Sequence, residues 1–294
     1  MRIGGSNIAG ICGISPWSTP LDEYLKITGQ ITIQDNPAMY WGRALEPLIR
    51  QKYCEETGRI VRYNTNPELL GIPMQHPQLP YLCGSLDGIS TESDGSFPCV
   101  LEIKTARDRR AWENGVPDHY QCQVQAYMAC TGYQSADVAV LFGASDFDIF
   151  EVSRDNDIIS LIEAAVQGFW ENHLVPEIPP ECTTPADRDT MWPLHTAGKT
   201  IQGNDDIQSL VQFIKSAKIS IDELKNQIDE AEASIKDRMQ DTEAIIGING
   251  KPIVTWKRSK DSTMIDLKAL QKKYPDIASE FTTTKPGSRR FVIK

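Results

Sequence analysis

Isoleucine recurs at every seventh position between residues 207 and 235, and leucine or alanine lies three residues after each of the first four isoleucines. A period of seven with two apolar positions is typical of a long helix with a coiled-coil seam, so we expect one helix over residues 205–241. The seam can be covered by a second chain, by the helix's own domain or by the other arm of a helical hairpin. The repeating residues are Ile207, Ile214, Ile221, Ile228 and Ile235, followed by Leu210, Ala217, Leu224 and Ala231.

The composition on either side of this helix divides the remaining chain. Residues 1–182 mix short β-rich runs with amphipathic helical stretches, which indicates an α/β or α+β domain. Residues 183–204 contain Pro, Thr, Gly and Asn with little apolar periodicity and are typical of a linker. Residues 242–294 combine two strand-like runs around an Asn-Gly turn with a short helix and a terminal strand, which predicts a small basic α+β module.

Apolar periodicity and turn residues predict the elements of the first domain within a few residues. The expected helices span 20–28, 37–57, 117–131 and 156–173, and the expected strands span 59–63, 81–89, 98–105, 137–142 and 147–152. The expected elements of the basic module are strands over 244–248, 252–257 and 288–294 and a helix over 266–274.

The charge of the chain is unevenly distributed. The formal net charge of −10 over 294 residues, taken alone, argues against a nucleic-acid partner. Residues 251–294, however, contain 11 Lys and Arg against 4 Asp and Glu, a net charge of +7, whereas residues 1–250 carry −17. The basic tail can bind DNA or an acidic partner, and a merely solvated charged surface is the alternative.

Membrane and disulfide-rich classes do not suit the sequence. No apolar run approaches the ~20 residues that span a bilayer, and the N-terminus lacks the apolar core of a secretory signal, so we expect a cytoplasmic protein. The 7 cysteines are scattered, without a Cys-x-x-Cys pair or zinc-site spacing. They are interpreted as reduced structural thiols, and they do not supply the four clustered ligands that an iron–sulfur cluster requires.

The most informative stretch consists of two β-rich runs around a turn at residues 93–96. Such runs are expected to form an antiparallel pair. Because alternate side chains of a strand share a face, Ser85 and Asp87 should point the same way on the first strand. By the same rule, Glu102 and Lys104 should share a face of the second strand.

Leu101 and Ile103 lie on the opposite face of this strand, which is expected to pack against the core. Two carboxylates and an ammonium on one sheet face are costly to desolvate unless they bind a ligand. Asp87 and Glu102, held close together, favour a divalent cation, and their hard oxygen ligands select Mg²⁺ or Mn²⁺. Lys104 could then hold the attacking water or offset charge at a scissile phosphate. The alternative is a surface ion pair on an amphipathic strand.

Two predicted helices offer further polar groups. Glu46 shares a helix face with the apolar Ile49 and Tyr53, so this carboxylate is placed to join a buried site. The alternative is a surface glutamate at a helix that begins at Pro47. On the later helix, Gln123 lies at the edge of an apolar stripe, where it could hydrogen-bond the nucleophilic water or the lysine, or be an ordinary boundary residue.

Five motifs, taken in order, resemble the YqaJ-type viral recombinase family, relatives of lambda exonuclease within the PD-(D/E)XK nuclease superfamily. The resemblance covers residue 1 to about residue 180, and Leu86 replaces the proline that usually precedes the metal-binding aspartate. The motifs are GGSNIA at 4–9, GRALEP at 42–47, SLDG at 85–88, LEIKT at 101–105 and YQCQVQAYM at 120–128.

The resemblance implies an α/β, restriction-endonuclease-like core with a central mixed β-sheet flanked by helices. It also implies a Mg²⁺-dependent exonuclease that degrades one strand of linear duplex DNA 5′ to 3′ and leaves 3′ tails for a single-strand annealing protein. Family members are ring trimers, so a homo-oligomer is expected. The alternatives are an endonuclease of the same superfamily and a non-catalytic recombination scaffold that binds DNA or a partner.

The resemblance also assigns roles to individual residues. Asp87, Glu102 and the backbone carbonyl of Ile103 would be metal ligands, and Glu46 would act directly on the metal or through a water. Lys104 would orient the nucleophile with the support of Gln123. The residues expected to bind the terminal 5′-phosphate are Ser6, Ser85 and Arg110, with Arg109, Arg107 and Arg2 as further candidates.

Overall fold

The computed structural model describes residues 1–65, 71–143, 145–284 and 287–294. These residues form two compact units, Met1–Met191 and Trp192–Lys294. The helices of the first unit are α1 (Ile8–Ile11), α2 (Pro20–Ile27), α3 (Pro37–Thr57), α4 (Asp118–Thr131), α5 (Asn156–Phe169) and α6 (Pro185–Met191). Its strands are β1 (Ile3–Gly4), β2 (Ile60–Arg62), β3 (Ile72–Gln75), β4 (Leu82–Leu86), β5 (Gly88–Thr91), β6 (Cys99–Ala106), β7 (Ser135–Phe142) and β8 (Asp146–Ser153).

The central sheet of the first unit has the strand order β2-β5-β6-β7-β8. Strands β6 and β7 are parallel, whereas the other neighbouring pairs are antiparallel, so the sheet is mixed. A smaller sheet has the order β1-β4-β3. The predicted fold class, α/β with a central mixed sheet flanked by helices, is confirmed.

Strand β6 is buried on both faces because a helix packs on each side of the sheet. On one face, Leu101 and Ile103 pack with Ile49 and Tyr53 of α3. On the other face, apolar residues of α4 pack against β6 and β7 through a cluster that includes Val100, Val124, Tyr127, Met128 and Val138. The polar residues of β6 therefore lie among apolar neighbours.

Helix α3 covers the extent that the sequence predicts. The side chain of Asn36 accepts a hydrogen bond from the backbone N–H of Met39 at 3.0 Å, which caps the first turn. Gly58 ends the helix with φ 68°, a left-handed conformation that favours glycine. Pro47 lies inside the helix, so the alternative that the helix begins at Pro47 is wrong.

The single strand predicted over residues 81–89 is wrong, because the structure divides it at Asp87 into β4 and β5. Strand β4 pairs with β1 and β3 in the smaller sheet, whereas β5 pairs with β6 in the predicted antiparallel sense, with Gly88 opposite Leu101. The carboxylate of Asp87 accepts the backbone N–H of Ile103 at 2.8 Å. The side chain of Asp87 thus takes the place of a backbone carbonyl in the hydrogen-bond ladder. At this residue the chain passes from the smaller sheet to the central sheet.

Helix α6 lies in the section that the sequence analysis assigns to a linker. Its Asp187 is only 2% exposed, and this carboxylate accepts hydrogen bonds from the hydroxyl of Thr19 and from the backbone N–H groups of Thr183 and Thr184. These bonds hold α6 against the beginning of α2. The buried Asp187 and its hydrogen bonds explain why this segment forms a helix although its sequence lacks apolar periodicity.

The second unit contains α7 (Asp205–Met239), β9 (Ala244–Ile246), β10 (Pro252–Thr255), α8 (Leu267–Lys273) and α9 (Pro275–Glu280). Asn204 caps α7 by accepting the N–H of Ile207 at 3.0 Å. β9 and β10 form an antiparallel hairpin, as predicted, with Gly250 at φ 73° in the turn. The predicted strand at residues 288–294 is wrong: this part of the described chain has no ladder partner.

The helices of the described residues include none that combines the length and apolar character needed to cross a bilayer.

Candidate active site

Strand β6 and helix α4 bring three predicted polar residues together. Glu102 is 2% exposed, and its Oε1 accepts hydrogen bonds from Nζ of Lys104 at 2.5 Å and from Nε2 of Gln123 at 2.8 Å. Lys104 also donates to Oε1 of Gln123 at 3.1 Å. The three side chains form a closed hydrogen-bonded triangle, in which the amide of Gln123 fixes the orientation of both the carboxylate and the ammonium.

Asp87 lies at the break between β4 and β5, beside the same strand. Its hydrogen bond from the N–H of Ile103 places its carboxylate at the edge of β6. In an extended strand the N–H and carbonyl of one residue point to the same side, so the carbonyl of Ile103 lies on this edge as well. The pairing of β5 with β6 begins at Gly88 and Leu101. Near Ile103, therefore, the backbone edge of β6 faces Asp87 instead of β5.

The second oxygen of Glu102 is the strongest indication that this site binds a positive ligand. Within the residues that the structure describes, Oε2 of Glu102 is buried and has no hydrogen-bond partner. A buried carboxylate oxygen in that state costs free energy unless a cation or a donor reaches it. Oε2 and the Asp87 carboxylate are therefore suited to a positive ligand.

The electrostatics of the two carboxylates agree with this interpretation. Burial, and then the neighbouring charge of Glu102, raise the pKa of Asp87 well above its ordinary value. Burial also raises the pKa of Glu102, although Lys104 and Gln123 oppose the shift. For Lys104, burial lowers the pKa, but the attraction of Glu102 and Asp87 outweighs it and the net shift is upward. The ammonium therefore stays charged, and one positive charge faces two carboxylates.

Hard oxygen donors of this kind fit Mg²⁺ or Mn²⁺. In the described part of the chain no three His, Cys, Asp or Glu side chains cluster as a metal site. The donors that could hold a cation here are Asp87, Glu102 and the carbonyl of Ile103. That small donor set suits Mg²⁺, which keeps several waters and is commonly bound through one or two carboxylates.

Glu46 reaches this region from α3, but its carboxylate is engaged by Arg50, one helical turn later. Arg50 is buried, with Nη2 3.4 Å from the backbone carbonyl of Asp87 and its guanidinium 4.1 Å from the ring centroid of Tyr63. Nε of Arg50 has no partner among the described residues. Arg50 is not among the residues predicted from the sequence, although its spacing of four residues from Glu46 is the usual signal of a helical ion pair.

Tyr127 is a second site residue that the sequence analysis missed. Its hydroxyl accepts a hydrogen bond from Nε2 of Gln123 at 2.9 Å, and its ring is buried. A Cβ atom added to Gly5 would lie 2.2 Å from this ring, and one added to Gly84 would lie 3.0 Å from it. Gly5 of the first motif and Gly84, directly before the third, therefore make room for the tyrosine that supports Gln123.

The two predicted phosphate-binding serines lie on neighbouring segments. Ser6 is exposed in a 3₁₀ turn directly after β1, and Ser85 is exposed on β4. Since β1 pairs in parallel with β4, with Gly4 opposite Cys83, the two segments run side by side. Ser85 also lines a pocket of about 470 Å³ together with Arg2. The structure thus places Arg2 and Ser85 at one cavity.

The other predicted arginines are exposed. Arg109 forms ion pairs with Asp146 and Asp148. Arg110 pairs with Asp108 at 2.7 Å. Among the described residues, neither these arginines nor Arg107 are in hydrogen-bond contact with Asp87, Glu102 or Lys104. Their role in binding a 5′-phosphate stays a prediction.

Fold and site together define an α/β protein in which an acidic pair and a lysine meet at the middle strand of a mixed sheet. Residues 1–134 match the family model of the YqaJ-like viral recombinase domain. The chain is also 29% identical to "Uncharacterized protein YqaJ" of Bacillus subtilis (strain 168), over 99% of this chain and 91% of that protein. Residues 1–134 are therefore similar to the YqaJ-like viral recombinase domain, and the predicted family resemblance is confirmed.

Solved structures with similarity to the chain include two exonucleases. The alkaline exonuclease LHK-Exo of Laribacter hongkongensis is 25% identical, with a TM-score of 0.46 over 60% of this chain and 89% of that chain. A phage-related exonuclease of Haemophilus somnus 129PT is 16% identical, with a TM-score of 0.43 over 60% of this chain and 96% of that chain.

Proposed function

We propose that this chain is a Mg²⁺-dependent exodeoxyribonuclease that degrades one strand of linear duplex DNA from 5′ to 3′. The 3′ single-stranded tails would serve phage-type recombination by annealing. The observation that carries the proposal is the buried Oε2 of Glu102, which has no hydrogen-bond partner among the described residues and lies beside Asp87 and the charged Lys104. The match to a viral recombinase domain supports the recombination context.

The donor set proposed for the cation is Asp87, Glu102 and the carbonyl of Ile103, with Mn²⁺ able to replace Mg²⁺. When bound, the cation would supply Lewis acidity at the phosphate and a water of lowered pKa. Lys104 would orient the attacking water and stabilise the charge that develops on the phosphate. Gln123 would hold Lys104 and Glu102 in place, because it hydrogen-bonds both.

The roles proposed for the remaining site residues follow from their positions. Glu46 would act on the cation directly or through a water once it leaves Arg50. Ser6 and Ser85 would bind the terminal 5′-phosphate from adjacent segments. Arg110 would assist them, with Arg109, Arg107 and Arg2 as further candidates.

The proposal includes the assembly and its partners. A ring of this chain, a trimer by family resemblance, would enclose the duplex, so that the acidic total charge does not prevent binding. A single-strand annealing protein would take up the 3′ tail. The degradation of DNA would take place in the cytoplasm of a bacterial or phage-infected cell.

The test uses linear duplexes labelled on either the 5′ or the 3′ end of one strand. With Mg²⁺, the proposal expects early release of the 5′ label as mononucleotide while the 3′ label stays in a shortening strand, and no release with a chelator. A closed circular duplex is the matched control and should stay intact. Nicking of the circle would identify an endonuclease instead, and binding without any hydrolysis would favour a recombination scaffold.

A further inference from the structure

An exposed tryptophan lies beside the site without a role in the chemistry above. Trp17, in the loop between α1 and α2, is 69% exposed, although a large indole is usually buried. Its ring meets the ring of His119 edge to face, with centroids 4.7 Å apart, and lies 6.0 Å from the ring of Tyr120. The first turn of α4 thus supports the indole from one side.

The loop that carries Trp17 is held by local hydrogen bonds. The backbone N–H groups of Trp17 and Ser18 both donate to Oγ of Ser15 at 3.2 Å. A serine that accepts from the residues two and three positions later forms a compact turn. The indole is therefore presented at a fixed place, which reduces the entropy lost when a ligand binds to it.

The rings under Trp17 lead directly to the site. The ring centroid of Tyr120 lies 4.8 Å from Nζ of Lys104, the ammonium that contacts Glu102. Tyr120 also stacks on the buried Trp112, with centroids 5.4 Å apart. Two contacts, from Lys104 to Tyr120 and from Tyr120 to Trp17, thus connect the ammonium with the exposed indole. Their combined length is comparable to a few nucleotide steps of about 3.4 Å each.

The ligand that suits this position is a nucleobase. Every base has an aromatic face, and stacking on an aromatic side chain stabilises a single-stranded nucleotide by roughly 1–3 kcal/mol without sequence preference. An exonuclease needs such tolerance, because it must accept any base in turn. A base becomes available for stacking once its strand separates from the complement next to the cleaved bond.

We propose that Trp17 stacks on a nucleobase of the DNA strand that passes the site, within a few nucleotides of the phosphate cleaved at Asp87, Glu102 and Lys104. This inference rests on the proposed nuclease function and adds to it a sequence-tolerant contact that holds the strand in register. Trp17 is a substrate-binding residue in this account, and His119 and Tyr120 position it.

The test combines variants of Trp17 with missing bases in the DNA. Binding is measured by fluorescence anisotropy in chelator, using a duplex with a frayed end and a single abasic nucleotide moved along the first six positions. Trp17→Ala should weaken binding of intact DNA roughly 5- to 150-fold, the range that corresponds to one stacked base. Trp17→Phe should restore most of it. Trp192→Ala is the matched control, since Trp192 is 55% exposed in the other unit.

The decisive result is non-additivity at one position. There, the abasic nucleotide should weaken binding by the wild-type chain but not by Trp17→Ala. Additive losses at every position, or an Ala variant that binds as well as wild type, would overturn the inference. Hydrolysis of the intact duplex by the wild-type chain with Mg²⁺, measured in parallel, separates the two claims. Hydrolysis with additive losses rejects only the stacking, whereas non-additivity without hydrolysis rejects only the nuclease.

Discussion

Strand β6 and helix α7 both carry regular apolar patterns, yet their side chains end in different environments. On β6, Leu101 is fully buried and Glu102 is 2% exposed, because helices pack on both faces of the sheet. On α7, Leu224 and Ile228 are each 57% exposed. Apolar periodicity therefore indicates which face can be buried, but burial requires a second element that covers it.

The same difference decides what charged residues can do in the two regions. Around β6, burial raises the pKa values of Asp87 and Glu102. Within the described part of the chain Oε2 of Glu102 has no hydrogen-bond partner, which suits the proposed cation site. On α7, ion pairs such as Lys236 with Glu232 are solvent-exposed, and such pairs contribute little. Chemistry is expected in the first region, and association or solvation in the second.

The largest expected effect comes from shortening a leucine in each region. Leu101→Ala removes a fully buried side chain and should lower the free energy of unfolding of the first unit by about 2–5 kcal/mol. Leu224→Ala in α7 removes a half-exposed one and should cost at most ~0.5 kcal/mol beyond helix propensity. Urea unfolding of both variants measures the difference. Equal losses would mean that α7 is covered in solution.

The next comparison adds a methyl group at a glycine in each region. Gly5→Ala would place Cβ 2.2 Å from the ring of Tyr127, so overpacking should destabilise the first unit by about 1–3 kcal/mol. In Gly203→Ala the new Cβ would meet no atom of the described residues within 4 Å, so this variant should be neutral or slightly stabilising. Thermal unfolding distinguishes the two. A neutral Gly5→Ala would contradict the packing described at Tyr127.

Local patterns in the sequence account for the elements but not for the point where two sheets meet. Alternation along the strand places Glu102 and Lys104 on one face, and the Asn36 and Gly58 signals define α3. The break at Asp87 depends on a hydrogen bond from Ile103, a contact that no local pattern encodes. Helix α6 likewise depends on the bond between Asp187 and Thr19 across the first unit.

The supporting residues were missed for the same reason. Tyr127 fits an apolar helical stripe, and only its packing against Gly5 and Gly84 shows how its hydroxyl comes to hold Gln123. Arg50 is four residues from Glu46, but its approach to the backbone of Asp87 depends on how α3 packs on the sheet. Tertiary contacts, rather than local propensity, determine both.

A hydroxyl deletion in each region is expected to have an effect of similar size. Tyr53→Phe removes a buried hydroxyl that contacts Ser90 at 2.8 Å and donates to Asp137, so unfolding of the first unit should become easier by about 1–3 kcal/mol. Tyr274 in the second unit is 46% exposed, so Tyr274→Phe serves as the control. Chemical denaturation followed by circular dichroism measures both. No loss from Tyr53→Phe would show that the network does not anchor α3.

The smallest expected effect is on the chemistry when the heptad helix and basic module are removed. A chain that ends at Asn204 retains Asp87, Glu102, Lys104 and Gln123, so the rate of nucleotide release per enzyme should change by no more than a few-fold at saturating DNA. The affinity for DNA at physiological salt is where a loss is expected, because the basic tail is gone. Complete loss of hydrolysis by a folded truncated chain would favour the scaffold function.

The central claim is that the carboxylates at the edge of β6 form a cation-dependent hydrolytic site. Glu102→Gln keeps the size of the side chain but removes the charge. The most direct test of the claim is the rate at which this variant releases nucleotides from linear duplex DNA with Mg²⁺. Glu151→Gln, at an exposed position on β8, is the matched control. We expect Glu102→Gln to lose hydrolysis by at least about a thousand-fold while its circular dichroism and DNA binding are retained, and Glu151→Gln to match wild type. A folded Glu102→Gln chain that releases nucleotides at the wild-type rate would contradict the account.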